Sequence, residues 1–289
     1  MILKMNEKNI VKAARQINSI IVMHEQFKQA YDGIVKLIYL NRLSDVCYGG
    51  AVIAPSGCGK TSLIKLIQQK LAGDNTISKG AICLSIAAGA NTNIGQLISN
   101  LMRQLGYQTV VRASTISEQS SLLAATLKER NVIAIFIDEA QHISRGKRTL
   151  SAAAITDWLK ELRDASGAVI MLMGTREFIP LAESNDQLAS RAPATFSLSE
   201  FQNDENWEGL LVKISNEVTA FDLSPATTFA RKLHKATNGV PRTLKQILIA
   251  STYAGMSTGK TVLDVESLKT GYASVFGNTP QQENAFGLD

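Results

Sequence analysis

Two stretches of the chain have the residue types and spacing of a phosphate-binding loop. Residues 54–61 read APSGCGKT and residues 254–261 read AGMSTGKT. Each fits G-x-x-x-x-G-K-[ST] with alanine in place of the first glycine. The glycines of such a loop let the backbone wrap around a polyphosphate, the lysine reaches the outer phosphates, and the hydroxyl ligates Mg²⁺. The elements on either side of each stretch decide which of the two is suited to bind a nucleotide.

The first stretch has a predicted strand before it and a predicted helix after it. Residues 46–54 are mostly apolar, as in a buried strand, and residues 61–72 repeat apolar positions at helical spacing. Backbone N–H groups and a helix N-terminus then converge on one point, where both stabilise a polyphosphate. Lys60 is expected to reach the β- and γ-phosphates, and Thr61 to ligate Mg²⁺. The predicted nucleotide-binding residues are Pro55, Ser56, Gly57, Cys58, Gly59, Lys60, Thr61 and Ser62.

The second stretch lacks that context. It follows a helical pattern and precedes VLDVESL, so no strand leads the chain into it. We predict a glycine-rich turn between two helices at residues 254–261, with no part in nucleotide binding.

A second acidic element completes a nucleotide site. Residues 132–139, VIAIFIDE, form an apolar run that ends in two carboxylates. Asp138, at the carboxyl end of the strand, can hold Mg²⁺ through water, and Glu139 can polarise the attacking water. The alternative is an acidic pair that only stabilises a helix N-terminus.

The elements that position these residues alternate between strands and helices. Apolar strands are predicted at 46–54, 81–88, 132–138, 168–174 and 194–199, with helices between them. Strands that are apolar throughout and separated by helices predict an α/β fold with a parallel sheet covered on both faces. From about Asn203 the pattern is helical only. The predicted domains are an N-terminal helical segment (1–44), an α/β core (45–201), a small helical domain (202–276) and a polar tail (277–289).

Composition narrows the class of protein. The net charge is +5 with a pI near 9.0, a mild basic excess that is compatible with a polyanionic partner and does not prove one. No apolar run approaches the roughly 18 residues that span a bilayer, and the N-terminus lacks a secretory h-region. The three cysteines form no C-x-x-C pair. We therefore expect a cytoplasmic protein without membrane contact, a disulfide framework or a zinc site.

The order of the strands indicates the kind of ATPase. One extra βα unit lies between the phosphate loop and the acidic strand, and the next strand, 168–174, ends beside Thr175. This order matches ATPases in which that strand is inserted beside the phosphate-loop strand. A polar residue at its tip then lies near the γ-phosphate.

Four stretches, APSGCGKT, FIDEAQHIS, LMGT and NGVPRTLKQI, together resemble the AAA+ ATPases of DNA transposition, the TniB/TnsC family and the related phage Mu B protein. The resemblance covers roughly residues 20–275. It implies an AAA+ sheet with a helical lid, ATP and Mg²⁺ as ligands, and ATP hydrolysis that controls assembly. It also implies a ring or filament on double-stranded DNA that recruits a DDE transposase, with a TniQ-type targeting protein as a further partner.

The resemblance also implies roles for residues outside the phosphate loop. Thr175 occupies the position of the family's first sensor residue, and Arg242, in GVPR, that of the second sensor, which contacts the γ-phosphate. Arg191 occupies the position of an arginine finger that reaches the neighbouring subunit's site, where it stabilises transition-state charge. Arg176 is the competing finger, and an ordinary surface arginine is the alternative for Arg191.

The resemblance also implies DNA contacts through two loops on one face of the assembly, at about residues 89–93 and 110–117. Such contacts would neutralise phosphates without reading bases, so affinity should depend on salt and little on sequence. A basic cluster at 144–149 is a further candidate, and a solvated loop is the alternative there. The candidate DNA-binding residues are Asn91, Arg112, Thr115, Lys147 and Arg148.

Other functions remain open from the sequence. FIDEAQH also resembles the acidic motif of DEAH-type helicases, but those need two RecA-like domains and this chain has one followed by helices. A scaffold that binds ATP and hydrolyses it slowly, or an ATPase of another DNA process such as helicase loading, would use the same fold. His142 is expected to be a helix-start residue near the site rather than a catalyst, and His24 and His234 carry no pattern that suggests chemistry.

Overall fold

The computed structural model describes residues 2–44, 49–73, 81–89, 92–107, 115–144, 149–178, 194–277 and 286. The chain forms two compact units: Glu25–Leu198 is an α/β unit, and Met1–His24 with Ser199–Asp289 is a helical unit. Among the described helices, none is long and apolar enough to cross a membrane.

The α/β unit alternates strands and helices as predicted. Its strands are β1 (Gly49–Ile53), β2 (Ile82–Ala87), β3 (Val132–Asp138), β4 (Val169–Gly174) and β5 (Ala194–Ser197). Its helices are α2 (Glu25–Ser44), α3 (Lys60–Ala72), α4 (Ile94–Gln104), α5 (Ile116–Glu129), α6 (Gln141–Ser144) and α7 (Thr149–Ser166). A short 3₁₀ helix, Arg176–Phe178, follows β4.

The described strands form one parallel sheet in the order β2-β3-β4-β1-β5. The strand that follows the acidic strand, β4, is therefore inserted between β3 and β1, as the sequence predicted. The carboxyl ends of β3, β4 and β1 lie side by side, so residues that follow these strands meet at one edge.

Both faces of the sheet are buried. Ile135 and Ile137 belong to a core that also contains Leu97 of α4, Leu123 of α5 and Leu159 of α7. Alternate residues of a strand point to opposite faces of the sheet. Helices α2 and α3 also contact the strands of this sheet. Each of the first six residues of β3 is buried, which is why this strand reads as a continuous apolar run.

The helical unit contains α1 (Ile2–Ser19), α8 (Glu205–Glu217), α9 (Ala230–Thr237), α10 (Pro241–Ser257) and α11 (Val265–Phe276). Its core surrounds Trp207, which is 0% exposed and donates its indole N–H to Ala230 O over 2.9 Å. Ile17 of α1 is in the same core. Lys213 and Lys245 of this unit donate to Ile21 O (2.7 Å) and Ile20 O (2.6 Å), just beyond the end of α1.

The units divide the chain differently from the boundaries drawn on the sequence. The predicted segment 1–44 is split, because α1 belongs to the helical unit and α2 to the α/β unit. Within the region predicted to be helical only, the chain forms a 3₁₀ turn at Ser224–Thr227 and then helix α9. Pro225 has no N–H to donate, so it suits the first turn of a short helix.

The second GKT stretch leads from a helix into a turn. Its first four residues, 254–257, still belong to α10, and only residues 258–261 form the predicted turn between helices. Helix α10 ends at Ser257, Gly259 has a φ of 79°, and α11 begins at Val265. Lys260 Nζ donates to Asp264 Oδ2 over 2.6 Å. This hydrogen bond lowers the pKa of the Asp264 carboxyl to about 2, aided by the bond that Asp264 accepts from Ser267. Lys260 therefore pairs with Asp264, the residue that caps the N-terminus of α11.

Candidate active site

The phosphate loop joins β1 to α3. Gly57 and Gly59 have φ values of 86° and 98°, in the left-handed region that glycine adopts without strain. Helix α3 starts at once after Gly59, so its unpaired N–H groups face the loop. A Cβ on Gly59 would lie 3.3 Å from the ring of Phe27, so α2 supports the loop. Gly59 is thus favoured for a steric as well as a conformational reason.

Lys60 is the first residue of α3 and is only 6% exposed. Its Nζ donates to Ala54 O over 2.8 Å and to Pro55 O over 3.3 Å. These carbonyls stabilise a buried ammonium group, which would otherwise be costly. The lysine ammonium group is thereby held against the start of the phosphate loop, the part of the chain that would surround the phosphates.

Thr61 and Asp138, the two residues predicted to hold Mg²⁺, are in hydrogen-bond contact. Thr61 Oγ1 donates to Asp138 Oδ2 over 3.4 Å. Burial raises the pKa of Asp138 above its ordinary value of 3.8, and the charge of Glu139 adds to this, whereas the hydrogen bond from Glu139 N, Lys60 and Thr61 oppose it. A divalent cation would favour the charged carboxylate strongly, as the chemistry of a Mg²⁺ ligand requires.

Glu139 lies in an unusual backbone conformation. Its φ is 57°, uncommon for a residue other than glycine, and its N–H donates to Asp138 Oδ1 over 2.8 Å. Ala140 N donates to Met173 O over 2.8 Å, which anchors the chain beyond it to β4. Such a backbone conformation persists only where the surrounding structure holds it in place, and it is often found at functional sites. The turn separates the two carboxylates and gives them different surroundings.

Gln141 connects Glu139 to Thr175. Its Nε2 donates to Glu139 Oε2, and its Oε1 accepts from Thr175 N over 3.2 Å. Thr175 Oγ1 is buried and has no hydrogen-bond partner among the described residues. Buried polar atoms are usually satisfied by protein or by ordered water, so this hydroxyl is available to a partner from outside the chain. A phosphate oxygen would supply the missing partner.

Neighbouring strand ends hold these residues together. Ala54 N, at the start of the phosphate loop, donates to Gly174 O at the end of β4 over 2.9 Å. Ala88 N, after β2, donates to Asp138 O over 2.8 Å. The phosphate loop, the acidic pair and Thr175 therefore share one rigid edge of the sheet.

The two protein oxygen ligands, the Thr61 hydroxyl and the Asp138 carboxylate, suit Mg²⁺ better than a metal ion that is held by protein side chains alone. Among the described residues, no group of three or more His, Cys, Asp or Glu side chains could hold a metal ion. Mg²⁺ is normally held by one or two protein oxygens and by the phosphates of its nucleotide. Cys58 in the loop is buried, and burial raises the pKa of the Cys83 thiol to about 12, so neither observation points to a thiolate metal site.

The remaining predicted residues lie elsewhere. Arg242 is the second residue of α10 in the helical unit, as its predicted place at the start of a lid helix requires. Arg176 is exposed in the 3₁₀ helix next to Thr175. Thr115 caps α5: its Oγ1 accepts from Glu118 N over 3.2 Å, and its N–H donates to Glu118 Oε2. The predicted residues Asn91, Arg112, Lys147, Arg148 and Arg191 lie outside the described residues.

Sequence reasoning missed two of these roles. The capping function of Thr115 was readable, because Thr-x-x-Glu before a helical pattern is the signature of a capping box. The role of Gln141 had a weaker signal, a polar residue two positions after the acidic pair. Its partner Thr175 lies 34 positions away, and only the sheet brings the two together.

Comparison with known proteins agrees with this geometry. Residues 45–181 match the model of a family described as AAA domain. The structure is similar to the Aeropyrum pernix ORC2 protein in its ADPNP–ADP complexes, at 15% sequence identity and a TM-score of 0.67, over 87% of this chain and 68% of that one. The chain has the AAA+ fold.

Two further solved structures have the same AAA+ fold. One is the Aeropyrum pernix ORC1 protein in complex with DNA, at 14% identity and a TM-score of 0.68, over 89% of this chain and 67% of that one. The other is domain III of the Thermotoga maritima replication initiation protein DnaA, at 16% identity and a TM-score of 0.58, over 92% and 97%. No curated protein matches the sequence. At these identities the likeness establishes the fold, and function must be argued from the site.

Proposed function

We propose that this AAA+ chain is an ATPase that assembles on double-stranded DNA as a homo-oligomer and regulates transposition. The observation that carries the ATPase is the meeting of Thr61, Asp138, Glu139 and Thr175 beside the phosphate loop. Each side chain has the type that phosphoryl transfer to water needs at that place.

The roles follow from the contacts. Thr61 and Asp138 would hold Mg²⁺ together with phosphate oxygens, and the bound ion would neutralise charge on those oxygens. Glu139 would accept a hydrogen bond from the attacking water and orient it as a general base. Lys60 would exchange its carbonyl partners for phosphate oxygens, and the Thr175 hydroxyl would donate to the outermost phosphate.

The proposed homo-oligomer rests on Arg191, the candidate arginine finger. A site in which Arg191 stabilises transition-state charge from a neighbouring subunit would hydrolyse ATP only when subunits assemble. Arg242 would contact the γ-phosphate of its own subunit. Both roles come from the motif resemblance, with Arg176 as the competing finger.

DNA binding is supported by composition and by the fold. The net charge is +5, and the similar Aeropyrum pernix ORC1 protein is in complex with DNA. Contacts through Asn91, Arg112, Lys147 and Arg148 would follow the phosphate backbone, so affinity should fall steeply with salt. Thr115 remains a candidate, although its hydroxyl already caps a helix.

The set of motifs favours DNA transposition as the process in which the protein acts. Its partners would be a DDE transposase and a TniQ-type targeting protein. A second candidate, an ATPase of replication initiation, is favoured by the likeness to ORC proteins and DnaA. The neighbouring genes separate the two. A DDE transposase gene beside this one supports transposition, whereas a replicative helicase gene supports initiation.

The experiment is electron microscopy of the full chain with a slowly hydrolysed ATP analogue, Mg²⁺ and duplex DNA at low salt. Regular rings or filaments on the DNA are expected, and Lys60→Ala should form none. ATP hydrolysis without assembly would leave the ATPase and refute the DNA-bound oligomer. Absence of both ATP binding and hydrolysis would refute the whole proposal.

A further inference from the structure

We infer that Gln141 is a positioning residue for hydrolysis: its amide aims the Glu139 carboxylate and ties it to the strand end that carries Thr175. The inference rests on the proposed ATPase function, because it assigns a part of that reaction to a further side chain. It goes beyond the sequence motifs, which gave Gln141 no role.

The amide has one possible orientation. A main-chain N–H can only donate, so the atom of Gln141 that faces Thr175 N must be the carbonyl oxygen, Oε1. The amide nitrogen is then left for Glu139 Oε2, which accepts from it. Gln141 is 5% exposed, so water competes little for either bond. The pairing fixes the position of the Glu139 carboxylate from one side.

The Glu139 carboxylate needs a hydrogen-bond partner that fixes its position. Its backbone is turned into the left-handed region, with its N–H bonded to Asp138 Oδ1, so the base of the side chain is fixed. The carboxylate is separated from that base by three rotatable bonds. A general base must lie within hydrogen-bond reach of its water, and small misplacements cost large factors in rate. Gln141 fixes the end that does the chemistry.

The same amide connects the base to the phosphate sensor. Thr175 is the residue after β4, and its hydroxyl is the buried, unsatisfied atom of the site. When that hydroxyl gains a phosphate partner, any shift of Thr175 N acts directly on Gln141 Oε1 and through it on Glu139. The position of the Glu139 carboxylate would thus depend on the contact between the Thr175 hydroxyl and the outermost phosphate.

Three substitutions separate positioning from folding. Gln141→Met keeps the length and approximate volume but removes both hydrogen bonds. Gln141→Glu keeps the acceptor for Thr175 N and places a second oxygen against Glu139. Gln104→Met is the matched control, because the Gln104 amide also makes two bonds, to the main chain of Ser85, in the same unit but outside the site.

Steady-state hydrolysis and the Kd of a fluorescent ATP analogue are measured for each variant. Gln141→Met and Gln141→Glu should lower kcat about 10- to 100-fold, while Kd stays within about threefold and Gln104→Met resembles the wild type. In the Glu139→Gln background, Gln141→Met should have no further effect on single-turnover rate.

Three results would overturn the inference. The first is an unchanged kcat in Gln141→Met. The second is a rise in Kd that matches the fall in kcat, since that would mean a merely structural role. The third is an equal fall in kcat in Gln104→Met. If the wild type binds ATP but does not hydrolyse it, the proposed ATPase fails first, and the inference falls with it; that case differs from an active wild type with an unaffected Gln141→Met.

Discussion

Thr61 Oγ1 donates to Asp138 Oδ2 over 3.4 Å, which joins the first turn of α3 to the end of β3. The corresponding threonine of the second GKT stretch, Thr261, lies in the connection from α10 to α11, and its carbonyl accepts from Asp222 N over 2.9 Å. Two stretches with the same three letters thus have different partners. The difference arises from the element that precedes each stretch.

The two lysines of these stretches form a matched pair for mutation. Lys60→Ala should abolish nucleotide binding, because the ammonium group next to the phosphate loop is lost. Lys260→Ala should leave it within about twofold, because Lys260 pairs with Asp264 on α11. The measurement is the Kd of a fluorescent ATP analogue. Equal effects of the two substitutions would mean that the assignment of the loop is wrong.

Thr175→Val tests the unsatisfied hydroxyl. Valine has nearly the same shape as threonine and removes an oxygen that has no partner among the described residues. The free energy of unfolding should therefore not fall, and could rise by about 1 kcal/mol. Hydrolysis should nevertheless drop about tenfold or more if this hydroxyl donates to a phosphate in the transition state.

Urea unfolding and steady-state hydrolysis of Thr175→Val are measured side by side. Thr126→Val is the control, because the Thr126 hydroxyl donates to Leu122 O within α5, so its loss should lower stability without slowing hydrolysis. A Thr175→Val variant with normal turnover would remove Thr175 from the site.

The pKa of Asp138 leads to a prediction about pH. Burial raises this pKa above 3.8, so between the two values the folded state binds more protons than the unfolded state. The free energy of unfolding then decreases as pH rises through that window and levels off above it. Asp138→Asn removes this penalty and can keep both hydrogen bonds, to Glu139 N and Thr61.

In the absence of nucleotide and Mg²⁺, Asp138→Asn should therefore be more stable than the wild type at neutral pH. The advantage should shrink as pH falls toward 3.8, and urea titrations across this range measure it. Mg²⁺-dependent ATP binding should change in the opposite direction and weaken in the variant, because a neutral amide oxygen is a poorer Mg²⁺ ligand than a carboxylate. A constant stability difference at every pH would contradict the assignment.

Much of the site could be predicted because it is built from local patterns. The apolar run that ends in Asp138 gave β3 with its correct bounds, and the strand after it led to Thr175. Both signals lie within a few residues of the chain. The insertion of β4 beside β1 was predicted too, because the order of elements along the chain matches that of ATPases with this insertion.

The remainder depends on contacts between distant positions. The amphipathic pattern of α1 predicts a buried face but does not say which unit covers it, and Ile17 is in fact buried with Trp207. The bridge from Glu139 through Gln141 to Thr175 requires the ends of β3 and β4 to be adjacent. Propensity and spacing carry no information on such a bridge, since its geometry arises only when the sheet forms.

Glu139→Gln should trap the ATP-bound assembly. Glutamine keeps a carbonyl oxygen that can accept from Gln141 Nε2, so the local hydrogen bonds persist, but it cannot accept a proton from water. Hydrolysis should fall about 100-fold or more, the scale of a lost general base, while ATP affinity is retained. If hydrolysis dissolves the assembly, complexes on DNA should then persist, as measured by sedimentation after ATP is diluted. Glu161→Gln, on the exposed side of α7, is the control and should behave as the wild type. Unchanged turnover in Glu139→Gln would assign the base to another residue, and rapid disassembly without turnover would separate assembly from hydrolysis.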